Sequence, residues 1–346
     1  MESIPADDTL PTTVLTGFLG SGKTTLLRRA LADPRFTDTA VVVNEVGAVA
    51  IDHYLVDFVD GGVLELPGGC LCCAVREDVA RTLRDLIDRR DAGVVRPFRR
   101  IVIETSGLAD PAPILFTLGA DPMLDARLSL GRVVTVVDAQ HGAATLARFA
   151  EAARQAAMAD ALVISKTDLA PVGDELDAAL AALNPGAERL IGQRADDPGA
   201  VLFNPPSAGE GERRRLPSSS PAGRGGPGWG AEAVHTHGVD SFTLILDGDV
   251  TRLDFAKALG ALAAACGSDL LRVKGIVAFA DRDRRPALVQ AAQHTMFAPE
   301  WLADWPDDDH RSRLVFVVSE VPRETVLAHF GFASPSVLGA RIHSHA

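Results

Sequence analysis

Three short motifs in the first half of the chain place reactive groups at spacings that do chemistry. Gly17-Phe-Leu-Gly20-Ser21-Gly22-Lys23-Thr24 matches G-x-x-x-x-G-K-[ST] and lies between a β-prone stretch, Thr12–Thr16, and a segment of helix-forming composition beginning at Thr24-Thr25. In that setting Gly17, Gly20, Ser21, Gly22 and Thr25 bring backbone N–H groups and a helix N-terminus to phosphate oxygens. Lys23 reaches the β/γ-phosphates, and the Thr24 hydroxyl ligates Mg²⁺. Ile101-Val-Ile-Glu104-Thr-Ser-Gly107 reads as a strand running into a turn. Glu104 then stands near Mg²⁺ through water, and the Gly107 N–H senses the γ-phosphate. Lys23, Thr24 and Glu104 are the candidate catalytic residues. Gly68-Gly-Cys70-Leu-Cys72-Cys73 sets three thiols within four residues, close to Arg76 and ahead of a helical stretch that begins at Glu77. Thiolates beside a helix N-terminus and a cation have lowered pKa values, and three soft donors favour Zn²⁺, Co²⁺ or Cu⁺ over Mg²⁺. Redox chemistry and inert burial are the alternatives, and a fourth metal ligand has to come from elsewhere.

Base identity is read at Ser165-Lys166-Thr-Asp168, which resembles the N-K-x-D guanine motif of P-loop GTPases. Asp168 accepts from the guanine N1 and N2 donors, whereas adenine leaves the carboxylate unpaired. Lys166 packs its stem over the base, and Ser165, in the usual place of Asn, is expected to remove one scaffold contact. Between the phosphate loop and the thiols, Asn44-Glu45-Val-Gly occupies the place of a first switch segment, and Glu45 and Asp52 are candidates to lend an oxygen to metal. His235/His237 and His343/His345 are spaced to share a metal weakly, with exposed tails as the plain alternative. No glutamine or arginine finger is evident near these motifs, so intrinsic hydrolysis is expected to be slow.

Taken in order, the phosphate loop, Asn44-Glu-Val-Gly, Gly-Gly-Cys70-Leu-Cys72-Cys73, Glu104-Thr-Ser-Gly and Ser165-Lys-Thr-Asp resemble the CobW-like family of P-loop GTPases. Phe242-Thr-Leu and Leu271-Arg-Val-Lys-Gly-Ile-Val-Ala-Phe look like that family's small C-terminal domain. The resemblance implies a GTP-dependent metallochaperone in which Cys70, Cys72 and Cys73 bind the transition metal while Thr24 holds Mg²⁺ beside GTP; zinc is the first expectation and cobalt the next, with Glu45 as the candidate further ligand. It also implies a client metalloprotein or metal-insertion enzyme as partner. A homodimer is one possible assembly. The rival readings are an ATP-using P-loop enzyme and a non-catalytic nucleotide or metal sensor.

The elements that must carry these motifs follow from hydropathy patterning. Apolar runs at 39–44, 100–104, 132–138 and 161–166 suit buried parallel strands. Amphipathic stretches at 77–90 and 145–159 lie between them, which predicts an α/β doubly wound, mostly parallel sheet of the P-loop NTPase kind over residues 1–195. Residues 196–232, rich in Pro, Gly, Ser and Arg, read as a flexible linker, and 233–346 as a small α+β domain. The 346 residues carry 46 acidic and 34 basic side chains, a net charge of −12, which disfavours polyanion binding and hence a nucleic-acid partner. No run approaches the roughly 18–20 apolar residues of a membrane span. With four cysteines, three of them crowded together, a disulfide framework is not expected and a cytoplasmic protein is.

Overall fold

The computed structural model describes residues 9–44, 63–65, 73–191, 198–203, 237–305, 309–333 and 335–337. They divide into two compact units, one ending at His237 and the other beginning at Gly238.

The first unit is a parallel sheet. Its strands are β1 (Leu10–Thr16), β2 (Thr39–Asn44), β3 (Val63–Glu65), β4 (Arg100–Thr105), β5 (Leu128–Asp138), β6 (Ala161–Ser165) and β7 (Glu188–Ile191). They lie in the order β3-β2-β4-β1-β5-β6-β7, every pair parallel. The central strands are continuous apolar runs because both sheet faces are covered: Ile101, Val102 and Ile103 are completely buried, as are Val133 and Val134. The covering helices are α1 (Lys23–Leu31), α2 (Cys73–Asp91), α3 (Ala112–Ala120), α4 (Pro122–Arg127), α5 (Gly142–Arg148), α6 (Ala150–Ala157), α7 (Asp174–Leu183) and α8 (Pro198–Phe203). Strand β1 pairs with β4 on one side and β5 on the other, so the strand order reverses there. In open α/β sheets the crevice beyond the carboxyl ends of strands at such a point receives ligands.

Two expectations change. The stretch 145–159 is not one helix, because Phe149 takes an extended backbone (φ −121°, ψ 118°) and separates α5 from α6. The stretch 196–232 is not linker from its start, because α8 packs on α1 and buries Val201 and Leu202 with Leu26 and Leu27. Thr13 donates to the Leu202 carbonyl (2.7 Å), and the buried Arg132 guanidinium donates to that of Val201 (3.3 Å). Residues 204–236 lie outside the described set.

The second unit is an antiparallel sheet of β8 (Val239–Leu246), β9 (Leu270–Phe279), β10 (Arg285–Ala292), β11 (Thr295–Met296), β12 (Glu300–Trp301), β13 (Ser312–Ser319) and β14 (Pro335–Val337). The order is β11-β10-β9-β13-β8-β14, with β12 on β10. Every second residue of β8 and β13, Phe242, Leu244 and Leu246 with Leu314, Phe316 and Val318, enters the core shared with α9 (Arg252–Cys266) and α10 (Arg323–His329). The core holds Phe242, Phe255, Phe279, Phe316 and Phe330. Cys266 packs at its edge, where burial pushes the thiol pKa up. Among the described residues no helix is long and apolar enough to cross a membrane.

Candidate functional site

The site begins where β1 ends. Gly17 has φ +141°, a backbone that L side chains rarely adopt, and a Cβ there would run into the Val136 carbonyl oxygen of β5. Only glycine lets the chain turn so tightly against the neighbouring strand. Gly20 (φ 71°) and Gly22 (φ 98°) complete the turn, and Gly22 caps α1. Ser21 closes the loop through its N–H to Phe18 O (3.1 Å). Gly20 and Thr25 are exposed, whereas Ser21 and Lys23 are buried.

Lys23 is 9% exposed, and its ammonium donates to the carbonyls of Gly17 (2.8 Å) and Phe18 (3.3 Å). A buried ammonium needs such partners, and here the phosphate loop provides them from its own backbone. One residue on, the Thr24 hydroxyl donates to Glu104 Oε1 at 2.6 Å. Glu104 is 6% exposed at the carboxyl end of β4, so the loop and the adjacent strand are joined by a short, charge-assisted hydrogen bond. Deeper in, Thr105 donates to the Thr16 hydroxyl (2.8 Å), locking β4 to β1 beneath that pair. Beyond β4, Gly107 lies so close to the phosphate loop that a Cβ would come within 2.6 Å of the Leu19 nitrogen.

The end of β6 supplies the other wall. Ser165 donates from Oγ toward Ser21 O (2.5 Å), with Val137 O (3.3 Å) as a second acceptor. The scaffold contact expected to be missing with serine in the asparagine position is therefore made by the shorter side chain, directly to the phosphate loop. Lys166 sits at φ 56° and places its ammonium 2.5 Å from Asp138 Oδ2 at the end of β5. Burial pushes the Asp138 carboxyl up, yet the Lys166 hydrogen bond and the Gln140 and His141 N–H groups outweigh it and hold the carboxyl below its ordinary value. Asp168 is exposed at the following turn, which Leu169 and Ala170 close on the Lys166 carbonyl.

The structure thus brings together Lys23, Thr24, Glu104, Gly107, Lys166 and Asp168 at the carboxyl edge of the sheet. Glu45, Asp52, Cys70 and Cys72 lie outside the described residues. Cys73 opens α2, with its side chain outside them. Among the described residues no group of three or more His, Cys, Asp or Glu side chains could hold a metal ion. Of the histidine pairs, His237 is described, and its Nε2 lies 3.1 Å from the Leu146 carbonyl. His235, His343 and His345 lie outside the set. Sequence reasoning missed Asp138, whose signal was its place at the end of the strand beside Ser165-Lys166. It also missed Gln155, for which no motif exists.

Comparison with known proteins finds relatives of both units. The family profile "CobW/HypB/UreG, nucleotide-binding domain" matches residues 11–190, and "Cobalamin synthesis protein cobW C-terminal domain" matches 239–333. The zinc chaperone YjiA of Escherichia coli is 31% identical, over 92% of this chain and 96% of that protein. The zinc chaperone CobW of Pseudomonas aeruginosa is 32% identical, over 92% of this chain and 89% of that protein. Among solved structures, the Zn(II)-bound YjiA GTPase of E. coli superposes with a TM-score of 0.63 at 27% identity, covering 94% of this chain and 99% of that one.

Proposed function

The chain belongs to the CobW family of nucleotide-binding proteins, and from that premise we propose that it is a GTP-hydrolysing metallochaperone carrying a divalent transition metal to a client metalloprotein in the cytoplasm. Zinc is the first candidate cargo, because the near-full-length relatives are named zinc chaperones. Cobalt comes next.

The observation that carries the reading is the Thr24–Glu104 pair set over the Lys23 loop. Two oxygen donors 2.6 Å apart are a hard set that fits Mg²⁺. Thr24 and Glu104 are the residues to hold it, and when bound it neutralises charge on the β- and γ-phosphates. The remaining work falls to the chain. Lys23 exchanges the Gly17 and Phe18 carbonyls for phosphate oxygens, two polar partners for another, so little new desolvation is needed. Gly107 presents its N–H to the γ-phosphate. Asp168 accepts from guanine, and Asp138 fixes Lys166, whose stem lies over the base. The thiols of Cys70, Cys72 and Cys73, with Glu45, take the cargo, and loss of the γ-phosphate lowers affinity for it. With no arginine or glutamine finger in these motifs, turnover is slow until a client binds.

The test is equilibrium zinc and cobalt binding against a calibrated chelator, with Mg²⁺ and a GTP analogue and again with GDP. Tighter binding in the triphosphate state, by the roughly 5- to 150-fold that a coupling of about 1–3 kcal/mol gives, is expected. Equal affinity in the two states sinks the nucleotide-gated reading.

A further inference from the structure

Helix α6 touches both the phosphate loop and the 106–109 turn that packs on it. At its start, Phe149 stacks on Phe18 of the phosphate loop, with centroids 4.6 Å apart and planes at 30°. This contact accounts for the break between α5 and α6, since the extended Phe149 backbone carries the ring out to the loop. Further along the same helix, Gln155 is wholly buried (0% exposed). Its Nε2 donates to the carbonyls of Gly107 (3.2 Å) and Ala109 (2.9 Å). Those carbonyls belong to a turn that the Ala109 N–H closes on Ser106 O at 3.1 Å, while the Leu108 N–H reaches the Ser106 hydroxyl at 3.3 Å. Gly107 rests on the Leu19 backbone on the other side. The turn is therefore clamped between the phosphate loop and one buried amide.

An amide is costly to bury unless its polar atoms are paired. Gln155 Oε1 has no hydrogen-bond partner among the described residues, so what the side chain contributes is its two donors. Both go to the turn whose glycine the proposed function sets opposite the γ-phosphate, and none to the helices around it.

We propose that Gln155 is a positioning residue for GTP hydrolysis. By holding the Gly107 and Ala109 carbonyls it sets the distance of the 106–109 turn from the phosphate loop, and with it the presentation of the Gly107 N–H to the γ-phosphate. The inference rests on the GTPase reading above and adds to it a residue outside every nucleotide motif. Because GDP lacks the γ-phosphate, the role separates from packing by a ratio: loss of the clamp weakens GTP binding and leaves GDP binding in place.

The experiment compares the wild-type full-length chain with Gln155→Met, which keeps the volume and removes both donors, and Gln155→Glu, which turns acceptors toward two carbonyls. The kcat and the affinities for GDP and a non-hydrolysable GTP analogue are measured for each. For Gln155→Met, kcat and analogue affinity each fall about tenfold, the scale of losing two neutral hydrogen bonds, with GDP affinity within about twofold. Gln155→Glu falls further in the same direction. Equal losses for GDP and the analogue, or no loss in either, make Gln155 a packing residue and overturn the proposal. If neither variant folds, amide exchange of the 106–109 turn in the wild type decides. Slower exchange with the GTP analogue than with GDP is expected, and identical exchange in the two states overturns the clamp. A wild-type chain that binds GDP and the analogue alike but turns over no GTP removes the GTPase reading first, and the positioning role falls with it.

Discussion

The two units bury different things. The second fills its centre with aromatic rings, Phe330 packing against Phe316 at 5.6 Å and Phe255 at 6.0 Å between centroids. The first, beside its aliphatic core, also buries Thr16, Ser21, Lys23, Glu104, Thr105 and Gln155. These gather at the carboxyl ends of β1 and β4 and the helices that follow, or face the loops that leave them. Aromatic burial stabilises at little risk, whereas each buried polar group destabilises unless its partner is in place. Concentrated polar burial at one sheet edge is thus a physical signature of a working site. The second unit's buried polar residues, Ser241, Arg272, Gln293, Thr295, Ser312 and Ser319, are instead spread over β8, β9, β11, β13 and the turn before β11, so the difference between the units lies in how the polar burial is concentrated.

That contrast breaks if stability and nucleotide binding travel together. The largest effect is expected from Phe330→Ala, which opens a cavity in the second unit and lowers its stability by about 3–5 kcal/mol in denaturant unfolding. GTP-analogue affinity of the folded protein stays at the wild-type value, and a parallel loss of affinity would contradict the division. Next comes Thr24→Ala. It removes one hydroxyl, with a smaller effect on the melting temperature than Phe330→Ala, yet lowers GTP turnover roughly 10- to 100-fold, the worth of a hydrogen bond to a charged group. Turnover within a factor of two of wild type would show that the Thr24–Glu104 pair is structural.

The smallest effect sharpens the contrast within the site. Asp138→Asn loosens Lys166 and lowers guanine-nucleotide affinity several-fold, on the order of 1 kcal/mol for a partly exposed pair. The pH dependence has a definite sign. The folded carboxyl lies below the ordinary value of 3.8, so its contribution is complete above that value and is lost as pH falls through the folded pKa. Wild-type affinity owes nothing to this group's titration between about pH 8 and 5, and the variant's deficit is constant over that range. A deficit that changes across that window would assign the effect to another group.

The sequence disclosed β1, β2, β4, β5, β6 and the phosphate loop because each of those signals is local, an apolar run, a glycine spacing or a carboxylate at a strand end, whereas the short edge strands β3 and β7 carry no such run. Residues whose meaning depends on a distant partner were not legible. Ser165 looked like a lost contact because its acceptor, Ser21 O, lies on another element. Helix α8 was hidden in a Pro/Gly-rich stretch because its reason to fold is the surface offered by α1 and β5. Phe149 read as part of a helical face, since nothing in its neighbours announces Phe18. Gln155 is an unremarkable polar residue until the 106–109 turn is set beside it.

The central place of β1 also constrains how the molecule is made. Leu10–Thr16 is synthesised well before both of the strands that flank it, Arg100–Thr105 and Leu128–Asp138. At about 5–20 residues per second of synthesis, an apolar strand waits on the order of ten seconds for its neighbours, and parallel pairing at such separation is slow to close. The phosphate loop hangs from the end of that waiting strand. The phosphate loop therefore takes its folded form only once β4 and β5 have been made and the sheet has closed around β1, and its Ser165 contact waits for β6.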